Sequence, residues 1–155
     1  MTEAQSDPAA AQALAEAAAA AMWPRDRAAQ ALGMKIVRVA PGSALVTMTV
    51  RADMTNSHRV CHGGMIFSLA DTAFAYACNS DNRNTVAAAC HIDFLAPAEE
   101  GEVLEAEAIV RSQAGRTGVY DVTVRAGGRN IALFRGNSYR IAGEVVAGAQ
   151  AAEFA

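Results

Sequence analysis

The sequence predicts an α+β fold in which one long helix lies in the curve of an antiparallel sheet. Three observations carry this. The stretch 63–79 is the one strongly apolar helix candidate in the interior of the chain. Two strand-like runs precede it and four follow, patterned like sheet strands rather than helices. Their connections are too short for parallel crossovers, so the strands pair antiparallel and the helix packs on the sheet.

Taken in order, Asp7-Pro8 reads as an N-cap followed by a first-turn proline, which predicts a helix over 8–22. Trp23-Pro24 ends it, because a residue before proline avoids the helical region. A short helix over 27–32 follows, capped by Asp26 and closed by Gly33. Residues 1–33 are thus expected to form a helical arm or lid. From Met34 the period changes, and runs 35–39 and 44–51 flank the turn Pro41-Gly42-Ser43 as a hairpin. The later strands are expected at 86–95, 103–112, 118–125 and 131–141, separated by turn-formers at 97–101, 113–116 and 126–130. Residues 34–143 make the main domain, and 144–155 a weakly patterned tail expected to fray. The helix at 63–79 has apolar residues on every side, which predicts burial nearly all round.

Composition narrows the function classes. At 155 residues the chain fits one domain, with 52% hydrophobic and 19% charged residues. A net charge of −3 argues against a nucleic-acid or anionic-membrane surface, though local arginines can still hold a phosphate. Cys61, Cys78 and Cys90 are odd in number and lack C-x-x-C spacing, so a disulfide scaffold is not expected. The alanine-rich start has no basic residue before Arg25 and is interrupted by Glu16, unlike a secretory signal. Cytoplasmic location is the expectation.

Asp71 is the anomaly in the apolar helix. Aspartate is a poor mid-helix residue, and a buried carboxylate is costly unless paired. It serves either chemistry or an ion pair, and the residue alone leaves both open. The segment Asn56 to Gly64 leads directly into that helix. Its Gly63-Gly64 pair lets a ligand approach the first-turn N–H groups, which favour negative charge and suit a developing oxyanion. The same pair also fits a tight turn that needs glycine for steric reasons only.

The order of these residues resembles the hotdog thioesterases: Asn56, then His62-Gly63-Gly64, then Asp71. The runs Ile92-Asp93-Phe94-Leu95, Thr117 to Val122 and Ala132 to Gly136 narrow the resemblance to the phenylacetic-acid-degradation, or PaaI, type. It covers roughly residues 28–143. The resemblance implies that Asp71 is general base or nucleophile, that the Gly63 amide binds the thioester oxygen, and that Asn56 and His62 help form the site. It also implies an acyl-CoA substrate, phenylacetyl-CoA and its ring-hydroxylated derivatives, with no cofactor. One departure is the stretch Ala87-Ala88-Ala89, where relatives often carry a hydroxyl that positions water.

Helix geometry adds an expectation of its own. Asp71 lies eight residues beyond Gly63, about 12 Å along a helix. One helix cannot bring both groups to one carbonyl carbon, so a shared site needs two subunits. A homodimer with shared sites is expected, paired again as a homotetramer.

Other candidates are weaker. His58, Cys61 and His62 lack a second ligand cluster for zinc, so no metal is expected. Gly64 is expected to contact substrate, and Arg116 and Arg140 to grip CoA phosphates, though both arginines equally suit solubilising roles. Phe67, Phe74 and Tyr76 are candidates for an aromatic acyl wall, against the commoner role of plain core. A non-catalytic acyl-CoA sensor would need a basic DNA-binding segment, which the first thirty or so residues lack. A hotdog dehydratase would be expected to use a histidine base beside a proline-rich loop, and the loop before Gly63 contains no proline.

Overall fold

Local chemistry starts each helix of the arm. The Asp7 carboxylate accepts the Ala9 N–H at 3.1 Å, Pro8 occupies the first turn, and helix α1 runs Pro8–Met22. Trp23–Arg25 tightens into a single 3₁₀ turn. Asp26 then caps the short helix α2, Arg27–Ala31, by accepting the Ala29 N–H at 3.2 Å. The computed structural model describes residues 7–148.

The domain follows as β1 (Lys35–Ala40), β2 (Ser43–Thr49), α3 (Gly63–Cys78), β3 (Arg83–Phe94), β4 (Val103–Ala114), β5 (Thr117–Ala126) and β6 (Arg129–Glu144). All six strands join one antiparallel sheet in the order β1-β2-β4-β5-β6-β3. Helix α3 therefore carries the chain from near one edge of the sheet to the other edge. The sheet curves round it, which is the hotdog architecture.

Alternation explains the packing. Ala44, Val46 and Met48 of β2, Leu104, Ala106 and Ala108 of β4, and Tyr120, Val122 and Val124 of β5 are all buried. They form a continuous core with Ile66, Leu69, Ala73 and Phe74 of α3. Each large side chain buried in this way contributes about 1.5–3 kcal/mol. Gly136 on β6 lets the Phe74 ring lie against the strand, since a Cβ there would meet the ring at 2.7–2.8 Å.

Two expectations change. Helix α3 is not buried all round: Ser68, Asp71, Thr72 and Ala75 are only half-buried, and Gly64 is exposed. The sheet leaves a strip of α3 partly uncovered, and at its free edge β3 exposes Val86 and Phe94. The end of the domain is also more ordered than a fraying tail. Strand β6 continues to Glu144, the Val145 N–H donates to the Asn82 carbonyl, and Val146 exchanges two hydrogen bonds with the Asn82 side chain. The expected tail beyond residue 148, like residues 1–6, lies outside the described residues.

The arm packs along the edge of the domain. Gln12 of α1 donates to the Val39 carbonyl of β1 at 2.8 Å, and α2 rests against α3.

Candidate active site

The loop before α3 is closed by one side chain. Asn56 Oδ1 accepts the N–H groups of His58 at 2.9 Å and Val60 at 3.4 Å, while its backbone bonds Val60 and Arg59. With Oδ1 so engaged, the Nδ2 amide is the part of Asn56 left to face a ligand. Arg59 turns the loop at φ 62. The chain then passes through the buried Cys61 into α3.

The two glycine amides at the start of α3 are not equivalent. His62 caps the helix, its Nδ1 accepting the Gly64 N–H at 2.9 Å. Accepting there leaves the ring proton on Nε2. The Gly64 amide, expected to contact substrate, is thus occupied by His62. As the first residue of α3, Gly63 has no intrahelical acceptor for its N–H and remains the donor suited to an oxygen. Asn56 and Gly63 share the lining of one open cavity of about 430 Å³ with Ile66, Phe94, Leu95 and Pro97.

Asp71 is elsewhere. It sits two turns along the same unbroken helix and does not line that cavity. Burial first and the charge of Asp26 second hold its carboxyl above the ordinary carboxylate range. Asp26 also lies by the buried Tyr76 hydroxyl, and burial followed by that carboxylate pushes the phenol up. On β3, the Ala87–Ala89 stretch supplies no hydroxyl, but Cys90 lies within electrostatic reach of Asp71. Burial and then Asp71 push the Cys90 thiol up, so it is a weakly acidic neighbour rather than an anionic one. Among the described residues of one chain Asp71 forms no ion pair with an arginine.

The arginines divide. Arg140 is committed to Asp81, which is fully buried, and also donates to the Gly115 carbonyl at 3.3 Å. Arg116 is exposed. Both border a depression of about 390 Å³ at the far end of α3, together with Arg83 and Gly115. Of the candidate aromatic wall, Phe74 and Tyr76 take the commoner role of core. Phe74 and Tyr76 are each 1% exposed, and Phe67 packs edge-on against Phe134 at 5.4 Å. Phe67 is thus only partly buried, packed against that core. The aromatic ring that does border the Gly63 cavity is Phe94, whose place in an alternating edge strand marks a face but not what it faces.

Comparison with known proteins identifies the family and the fold. A family model described as Thioesterase superfamily matches residues 58–132, which include His62, Gly63, Asp71 and Phe94. The acyl-coenzyme A thioesterase PaaI of Escherichia coli K12 is 54% identical over 126 residues, covering 81% of this chain and 90% of that protein. The solved structure of the E. coli PaaI protein from the phenylacetic acid degradation operon superposes with a TM-score of 0.85 at 51% identity, over 86% of this chain and 97% of that one. A variant of the phenylacetic acid degradation protein PaaI from Thermus thermophilus follows at 0.73 and 40%, over 75% and 100%.

Proposed function

The chain belongs to the thioesterase superfamily and is an acyl-CoA thioesterase of the PaaI type; from that premise we propose that it hydrolyses phenylacetyl-CoA and its ring-hydroxylated derivatives in phenylacetate degradation. The observation that carries the mechanism is the division of labour along α3. The Gly63 amide opens on a cavity at the helix start, and a carboxylate of raised proton affinity lies two turns further on.

In this reading the thioester carbonyl oxygen sits at the Gly63 N–H, where a backbone donor and the positive end of the helix stabilise the charge that develops. Asn56, which lines the same cavity, offers Nδ2, and His62 acts as the cap that fixes the start of the helix. Asp71 then either takes a proton from the attacking water or attacks carbon itself to form a mixed anhydride, and CoA leaves as the thiol. A single turnover in oxygen-18 water, followed by a second in ordinary water, separates the two routes.

The distance between Gly63 and Asp71, about 12 Å along the helix, requires the two to come from different copies. We therefore place the site between two chains. The strip of α3 left uncovered, beside the free edge of β3, is where a second copy would bring its own Asp71 or Gly63. Pairing of two such dimers into a tetramer completes the proposed assembly. Arg116, with Arg140 beside it, is the proposed grip on CoA phosphates. Among the described residues no helix is long and apolar enough to cross a membrane. With three unpaired cysteines, one of them exposed, we place the protein in the reducing cytoplasm.

The test is a ratio. Measured kcat/KM for phenylacetyl-CoA should exceed that for palmitoyl-CoA, with leaky activity on medium chains because hydrophobic pockets discriminate by only about 1–3 kcal/mol per methylene. An equal or higher palmitoyl-CoA value would sink the substrate assignment and leave thioester hydrolysis standing.

A further inference from the structure

Phe94 ends β3 with its side chain 54% exposed, an unusual position for a phenylalanine beside a closed core. It pairs with Ala132 on β6 and lies on the face of the sheet that curves towards α3. Its ring rests directly on the start of that helix. A Cβ placed on Gly63 would stand 3.0 Å from Phe94 Cζ, 3.2 Å from Cε1 and 3.5 Å from Cε2. The backbone of Gly63 can carry any residue, and a side chain there would require the ring to shift by a few tenths of an ångström, which measures how near the ring lies.

The same ring borders the cavity on which the Gly63 amide opens. Phe74 and Tyr76 lie in the core and Phe67 is partly buried against it, and among the described residues Phe94 is the aromatic side chain that lines that space. A carbonyl oxygen at the Gly63 N–H would sit beside the Phe94 ring, close to the acyl group attached to it. A flat aryl group can stack offset or edge-on against it, whereas a flexible alkyl chain gains only unspecific contact.

We infer that Phe94 is the specificity-determining residue of the acyl pocket, its ring setting the shape and size of the acyl group admitted beside the Gly63 amide. This rests on the reading of Gly63 as the thioester-binding amide. Phe94→Tyr keeps the ring, whereas Phe94→Leu and Phe94→Ala remove it. Because Phe94 borders the strip proposed to meet a second copy, sedimentation first confirms that each variant keeps the wild-type assembly. Phe94→Leu, retaining bulk there, should do so.

The experiment compares wild type and the three variants on phenylacetyl-, 4-hydroxyphenylacetyl-, hexanoyl- and decanoyl-CoA. The aryl-to-alkyl ratio of kcat/KM should fall by about tenfold in the leucine and alanine variants and be kept by tyrosine. Ratios held within about twofold of wild type, even with lower rates throughout, would overturn the inference, because a merely structural ring lowers all substrates together. If wild type itself shows no aryl preference, the substrate proposed above fails separately. Phe94 is then judged by whether its removal changes the hexanoyl-to-decanoyl ratio, an unchanged ratio again counting against it.

Discussion

The Asp26 carboxylate, on the N-terminal arm, acts on the Asp71 carboxylate of the central helix. The arm is thereby coupled electrostatically to the residue proposed to do the chemistry. The other titratable groups near Asp71 are thiols, Cys90 from β3 and Cys78 from its own helix. Strands β2 and β4 meet the helix with apolar side chains, and β5 adds the buried Tyr120 hydroxyl. Asp26 is thus the anionic neighbour that matters.

Asp26→Asn should move the acid limb of the kcat/KM profile to lower pH. The sign follows from the shift: a negative neighbour raises the Asp71 proton affinity, so removing it lets Asp71 ionise at lower pH. Asparagine still caps α2, since Asn and Asp cap about equally well. An acid limb that does not move in the pH–rate profile would show that Asp26 does not act on the working carboxylate.

Asp71→Asn should fold and lose about 10²-fold or more of kcat, the usual worth of a positioned acid or base. It should also melt higher than wild type at neutral pH. Burial raises the Asp71 pKa in the folded chain, so ionisation costs stability that sets in above the unfolded-state pKa, is complete above the folded one and vanishes below both. The gain should therefore shrink as pH falls through the carboxylate range. Differential scanning calorimetry at two pH values and steady-state kinetics check both halves. Near-wild-type turnover would remove Asp71 from the mechanism.

Mixing Asp71→Asn with Gly63→Pro should restore activity that neither variant has alone. Proline is tolerated at the first helical residue but deletes the amide donor. Its Cβ would meet only the end of the exposed Phe94 ring, which can swing aside. Mixed dimers rebuild one intact site if Gly63 and Asp71 come from different chains. With subunit exchange confirmed, absence of recovery refutes the shared site.

Arg140→Leu should destabilise the fold by about 3–5 kcal/mol, because it strands the buried Asp81 carboxylate without its partner. The loss should be smaller at acid pH, where Asp81 can protonate. Denaturant unfolding at two pH values measures it, and a uniform loss would deny the ion pair its role. Arg116→Ala, exposed and outside that pair, should instead raise KM with little change in Tm.

Gly136→Ala should cost about 1–3 kcal/mol, the usual penalty of overpacking a well-filled core. The new Cβ would press on the Phe74 ring at 2.7 Å, and that ring is wedged between Tyr120 and Phe134 at 5.5 and 5.9 Å. A Tm equal to wild type would mean the ring can move.

Local signals are legible in the sequence because they are local. Asp7-Pro8 and Asp26 start their helices, alternation marks the strands, and Asp71 stands out as a charge in an apolar helix, each within a window of a few residues. The fixed rise of a helix even separates Gly63 from Asp71 on sequence spacing alone, since about 1.5 Å per residue needs no tertiary information. The resemblance to hotdog thioesterases likewise rests on residues read in order.

Tertiary packing decided which distant residues meet. Period says that Phe74, Tyr76 and Phe94 occupy faces of a helix or strand, but only the curve of the sheet turned the first two into the core and left the third against Gly63. Strand order was equally hidden, because alternation is the same wherever a strand sits, and β3 reached the far edge beside β6 only by following α3 across the sheet. The electrostatic influence of Asp26 on Asp71, the capture of the Gly64 amide by His62 and the burial of Asp81 against Arg140 are relations of this kind. A sequence encodes them through the summed packing of the whole core, so no short motif announces them.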